Sequence, residues 1–177
     1  MSLYTHFRDK DAILQAVGAE LLARLELPDT ADSDIDLLRK ISHAHFRLLV
    51  DHPVLLQLDS ILSNTSPDDP LSEAIFGCLQ RLRIDHRRAV GPAATLTRFV
   101  IGAATVYPAR RAWDEDTDYW VRLHRRLAAL PPETYPYTHE LTRDFPTYTQ
   151  MEAFEFGLET LLDSIAAAAG SASRESS

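Results

Sequence analysis

The stretch MSLYTHFRDKDAIL, residues 1–14, decides how the chain folds. It reads as two short helical pieces broken at Arg8-Asp9, with three rings (Tyr4, His6 and Phe7) inside four positions. So dense an element directly behind a methionine implies that something normally precedes it. Asp9 suits an N-cap for the second piece. Ile13, Leu14, Val17, Leu21 and Leu25 then recur at the spacing of one helix stripe, which Pro28 closes.

The same period governs the rest. Ile35, Leu38, Ile41, His45 and Leu48/Leu49 step by three and four and end at Asp51-His52-Pro53. A short apolar helix over 54–62 runs into SNTSPDDP, where Pro67 and Pro70 break regular structure. Ser72 caps a helix carrying Ile75, Phe76, Leu79, Leu82 and Ile84 that is expected to end near Val90, before Gly91-Pro92. The next helix, 93 to about 113, has Gly102, Ala103 and Ala104 at its centre, small enough for another helix to approach closely. Pro108 is expected to kink it or end it early. After DEDTD comes an amphipathic YWVRLHRRLAAL, then an irregular Pro-rich segment over 131–146. In the last helix Met151, Phe154, Leu158, Leu161, Leu162 and Ile165 form a regular stripe. The reading is all-α, about seven helices.

Composition limits the function classes. A chain of 177 residues, 45% hydrophobic and 25% charged, suits one soluble domain. A net charge of −8 argues against generic nucleic-acid binding, which needs clustered Lys and Arg. No run of 18 apolar residues suggests a membrane span. The single cysteine, Cys78, precludes an internal disulfide and fits a cytoplasmic protein. His43 and His45 are two apart, so on a helix they point to different sides and cannot share a metal ion. No metal-ligand spacing, nucleophile elbow or phosphate loop occurs. No enzyme, cofactor or metal site is expected.

Ser2-Leu3-Tyr4-Thr5-His6-Phe7, a polar turn ending in Lys10, and then Asp11-Ala12-Ile13-Leu14 resemble one particular motif. It is the end of the helix-turn-helix in the tetracycline-repressor (TetR) family of bacterial transcriptional regulators. Two further segments resemble that family in order and spacing: FRLLVDHPVLLQL at 46–58 and MEAFEFGLETLLDSI at 151–165.

The resemblance implies a TetR-like helical bundle that dimerises through a four-helix bundle built from 93–112 and 150–168. Residues 1–9 would be the remnant of the recognition helix, 10–170 the ligand-binding and dimerisation domain, and 171–177 a disordered tail. It assigns Tyr4, His6 and Lys10 to DNA phosphates. It gives Ala103, Met151, Phe154, Leu158, Leu161, Leu162 and Ile165 to the dimer interface. A pocket for a small, largely apolar effector would be lined by His45, Phe46, Leu49, Phe76, Leu79, Phe99 and Tyr107. The implied function is a repressor-type regulator whose effector controls DNA binding allosterically. Family members carry further helices ahead of the recognition helix, so the chain as given is expected to bind operator DNA weakly or not at all. The alternative is a stand-alone dimeric helical ligand sensor or interaction protein without DNA binding.

Overall fold

The computed structural model describes residues 10–57, 70–142 and 149–175. Seven helices and no strand occur among them: α1 (Lys10–Ala23), α2 (Asp34–Asp51), α3 (Pro70–Arg81), α4 (His86–Glu115), α5 (Thr117–Ala128), α6 (Pro136–Leu141) and α7 (Gln150–Glu175). The all-α expectation holds. The chain forms two compact units, one of Met1–Thr105 with Gly157–Ser177, the other of Val106–Phe156.

In the first unit, α2 begins where the Ser33 side chain accepts a hydrogen bond of 3.1 Å from the Asp36 N–H. Asp34 and Asp36 lie in the first turn, where the helix dipole favours negative charge. At the other end the His52 N–H closes on the Leu48 carbonyl at 2.9 Å, and Pro53 cannot continue the ladder. Its apolar period buries Leu38, Ile41, Phe46 and Leu49, with Ser42 and His45 among them. The Ser42 hydroxyl is satisfied within the helix by the Leu38 carbonyl, 2.8 Å away.

Helix α3 packs on α2 and buries Leu71, Ile75, Cys78 and Leu79. The helix expected to run to Val90 ends instead at Arg81. The Ile84 N–H reaches back to the Leu79 carbonyl (3.0 Å) and the Arg83 N–H to Gln80 (2.9 Å), with Arg83 at φ 61. This is the Schellman closure, with arginine where glycine is the usual occupant. Asp85 then starts α4 by accepting the Arg87 N–H at 2.7 Å.

The break thus falls at 82–85, and α4 runs through both Pro92 and Pro108. Each proline removes one ladder hydrogen bond. Against that cost stands a continuous buried stripe of Ala89, Ala93, Leu96, Val100 and Ala104. By length and mean hydropathy (1.3) the part His86–Pro108 passes for a membrane span. That stripe is intrachain core, however, and Arg98 is exposed on the same stretch.

Helix α7 opens with a reciprocal capping box. The Thr149 N–H donates to Glu152 Oε2 (2.8 Å) and the Glu152 N–H to Thr149 Oγ1 (3.2 Å). It buries Leu158, Leu162, Ile165 and Ala169 in the first unit. Its backbone stays helical to Glu175, past the Gly170 where the sequence suggests a tail.

In the second unit Asp116 caps α5, accepting from the Asp118 and Tyr119 N–H groups at 3.0 and 3.1 Å. The expected irregular segment contains α6, which Pro136 opens at its first turn.

Candidate functional site

Helix α2 has two faces of opposite character. At 100° per residue, Leu38, Ile41, Ser42, His45 and Leu49 share the inner face. Asp36, Arg39, Lys40, His43, Arg47 and Asp51 follow the other at i+3/i+4 steps. The segment Arg24–Pro28, which continues past α1, lies over this outer face and leaves a cleft of about 950 Å³.

Ion pairs tie the outer face of α2 to its neighbours. Arg39 grips Glu159 of α7 with two hydrogen bonds, Nε to Oε1 at 2.5 Å and Nη2 to Oε2 at 2.9 Å. Its Nη1 meets Asp36 at 2.9 Å, and Lys40 meets the second Asp36 oxygen at 3.2 Å. The Lys40 ammonium, then Arg39, hold the Asp36 carboxyl below its usual range. Hydrogen bonding by Arg39 lowers Glu159 likewise, and Glu159 raises Arg39 in return. At the start of α2, Asp34 binds Arg81 Nε of α3 at 2.6 Å. The Arg81 Nη2 also donates to the buried Cys78 sulfur at 3.3 Å. Burial pushes that thiol up, so Cys78 is a core side chain.

The residues expected around an effector separate into groups. His45, at 4% exposure, is buried in the first unit with Phe46, Leu49 and Leu79. Phe76 is turned outward, 40% exposed. Phe99 is half-buried, its ring lying where a Gly157 side chain would begin. Tyr107 is half-buried and belongs to the second unit. None of the seven lines the cleft of the outer face. Sequence reasoning missed that cleft because its lining combines a charged helix face, normally solvated, with a connecting segment.

Of the residues expected at a dimer interface, Phe154, Leu158, Leu162 and Ile165 are buried within the single chain. The stripe therefore serves the chain's own core. Ala103 and Leu161 are half-buried, and Met151 is exposed. The side of α7 away from that stripe carries Thr160, Ser164 and Ala167, all exposed. The matching side of α4 carries Thr95, Gly102 and Thr105. The Ser164 and Thr105 hydroxyls turn back to the Thr160 and Ile101 carbonyls at 3.0 and 2.7 Å. Their own helices satisfy these hydroxyls, and Arg98 on α4 and Asp163 and Phe156 on α7 share the same outward sides. Of the residues expected at DNA, Tyr4 and His6 lie outside the described residues, and Lys10 is the first residue of α1.

Among the described residues, two long helices with buried inner stripes accompany five shorter ones. Residues 27–169 match the family described as tetracyclin repressor-like, C-terminal domain, and the chain belongs to it. The fold is shared with TetR-family structures from Streptomyces coelicolor. Apo ActR superposes with a TM-score of 0.79 at 22% identity, over 96% of this chain and 80% of that one. The transcriptional regulator SCO7222 gives 0.76 at 19% identity, over 94% and 81%. ActR in complex with actinorhodin gives 0.76 at 21% identity, over 95% and 81%. No curated protein matches the chain.

Proposed function

We propose that this chain is the effector-binding and dimerisation part of a bacterial transcriptional regulator of the repressor type. The observation that carries the reading is membership of the tetracyclin repressor-like C-terminal family across 27–169. A small, largely apolar effector enters the first unit beside His45, Phe46, Leu49 and Leu79, with Phe99 as a further candidate and Phe76 at the surface. His45 is the one polar tip among the buried members of that group, so a bound molecule's hydrogen-bonding atom would meet it there. That ActR structures exist with actinorhodin and with (S)-DNPA supports a small organic effector. Effector binding shifts α1, which in an intact regulator links to the DNA-binding helices and changes operator affinity. The chain acts by binding and needs neither cofactor nor metal.

Dimerisation uses α4 and α7 as a four-helix bundle. With Phe154, Leu158, Leu162 and Ile165 engaged in the core, the contact falls to the outward sides around Gly102, Thr105, Thr160, Ser164 and Ala167. Ala103 and Leu161 stand at its margin. Sedimentation velocity at micromolar concentration tests this reading. The expected result is a dimer that Ala167→Arg converts to a monomer with unchanged helical circular dichroism. A monomeric unmodified chain, or a dimer indifferent to Ala167→Arg, overturns it.

A further inference from the structure

We propose that the cleft between the Arg24–Pro28 segment and the outer face of α2 is a second binding site, for a small organic monoanion: a carboxylate on an apolar body. It lies on the opposite face of α2 from His45 and does not depend on the effector reading.

Size, an apolar lining and one exposed arginine support this. At about 950 Å³ the cleft lies within the range of small-molecule sites. Leu25, Leu27, Pro28, Ala44 and Leu48 supply an apolar surface. Around it stand four cations, Arg24, Arg39, Lys40 and Arg47. Glu26, Asp36 and Asp51 line it with them, and Glu20 and Glu159 pair with Arg24 and Arg39 from beside it.

Pairing identifies the anchor. Asp36 is taken by Arg39 and Lys40, Arg39 is held further by Glu159, and Arg24 pairs with Glu20 at 2.7 Å. Arg47 is exposed, and its only described contact is a 3.4 Å hydrogen bond from Nε to the His43 carbonyl. Among the described residues it has no carboxylate within ion-pair distance. A guanidinium in that position offers a carboxylate two parallel hydrogen bonds. Glu26 and Asp51 set the limit on charge. A monoanion matches the one lining cation, Arg47, that no described carboxylate engages, whereas a phosphate's second charge meets two carboxylates.

Isothermal titration of the full chain tests the assignment, with sodium octanoate as probe, 1-octanol as its neutral counterpart and inorganic phosphate as the compact anion. Saturable octanoate binding at one site per chain is expected. Arg47→Gln weakens it about tenfold or more, the worth of a charge-assisted pair. Octanol binds weaker by a similar factor, phosphate gives no saturable heat, and the surface change Arg126→Gln leaves octanoate binding unchanged. Absence of octanoate binding, octanol binding as tight as octanoate, or an unaffected Arg47→Gln variant overturns the proposal. Octanoate affinity that falls with His45→Ala but not with Arg47→Gln puts the acid at the inner face. That outcome defeats this site while leaving the effector reading standing.

Discussion

Gly157 and Gly102 sit on the two longest helices and do opposite things. At Gly157 the ring of Phe99 occupies the space a side chain would take, so α4 and α7 meet with an aromatic ring against bare backbone. At Gly102 a Cβ would meet nothing within 4 Å. The first glycine is required by packing inside the chain. The second is permitted by the chain and costs it helix stability, since glycine in a helix interior is worth about 0.5–1 kcal/mol less than alanine. The contrast separates a finished seam from a face left open, and substitutions at each side test the separation.

The largest effect is expected at the seam. Gly157→Ala expels the Phe99 ring. Full loss of an aromatic side chain's burial costs about 1.5–3 kcal/mol, of which alanine's helix preference returns about 1. A net loss of about 0.5–2 kcal/mol, read by urea denaturation at constant m-value, is the expected outcome. A variant more stable than the parent would mean that the ring does not lie on α7.

Next in size is the pair that ties α7 to α2. Arg39 holds the Glu159 carboxyl below its ordinary 4.5. A carboxylate depressed on folding contributes its stability in full above the unfolded value and loses it as pH falls through the folded one. Both side chains are partly exposed, 32% and 43%, so the pair is worth no more than about 1 kcal/mol. Glu159→Gln should therefore lower the thermal midpoint at pH 6, and the gap should narrow as the pH falls toward 3. An equal gap at both pH values would break the assignment.

The inner seam is legible in the sequence and the open face is not. The period of three and four along Leu38, Ile41, His45 and Leu49, and along Phe154, Leu158, Leu162 and Ile165, reports burial whichever surface provides it. It does not say whether the cover is the same chain or another copy, so periodicity and family resemblance together assign the second stripe to a dimer although it lies in the chain's own core. The start of α5 behind Asp116 and the end of α2 before Pro53 are readable because each carries its own signal. The break at Leu82–Asp85 carries none, since Arg83 adopts the conformation that glycine would announce. Gly91-Pro92, which does look like a stop, lies inside α4. For the effector residues, burial of Phe46, Leu49 and Leu79 follows from periodicity, while the turned-out Phe76 shows how one step of helix phase reverses a side chain's environment.

The smallest effect is the most discriminating. Gly102→Ala fills open space in the single chain and removes a glycine from the helix, so an isolated chain should gain about 0.5–1 kcal/mol. If α4 and α7 meet a second copy through the sides that carry Gly102 and Ala167, the added methyl instead stands between two closely approaching helices. Overpacking of that kind costs about 1–3 kcal/mol and cancels or reverses the gain. The sign of the change should therefore depend on protein concentration. The thermal midpoint rises in dilute solution, where monomer prevails, and is unchanged or falls at high concentration, where association is linked to folding. An equal rise at both concentrations would remove Gly102 from the interface and leave its openness as ordinary solvent exposure.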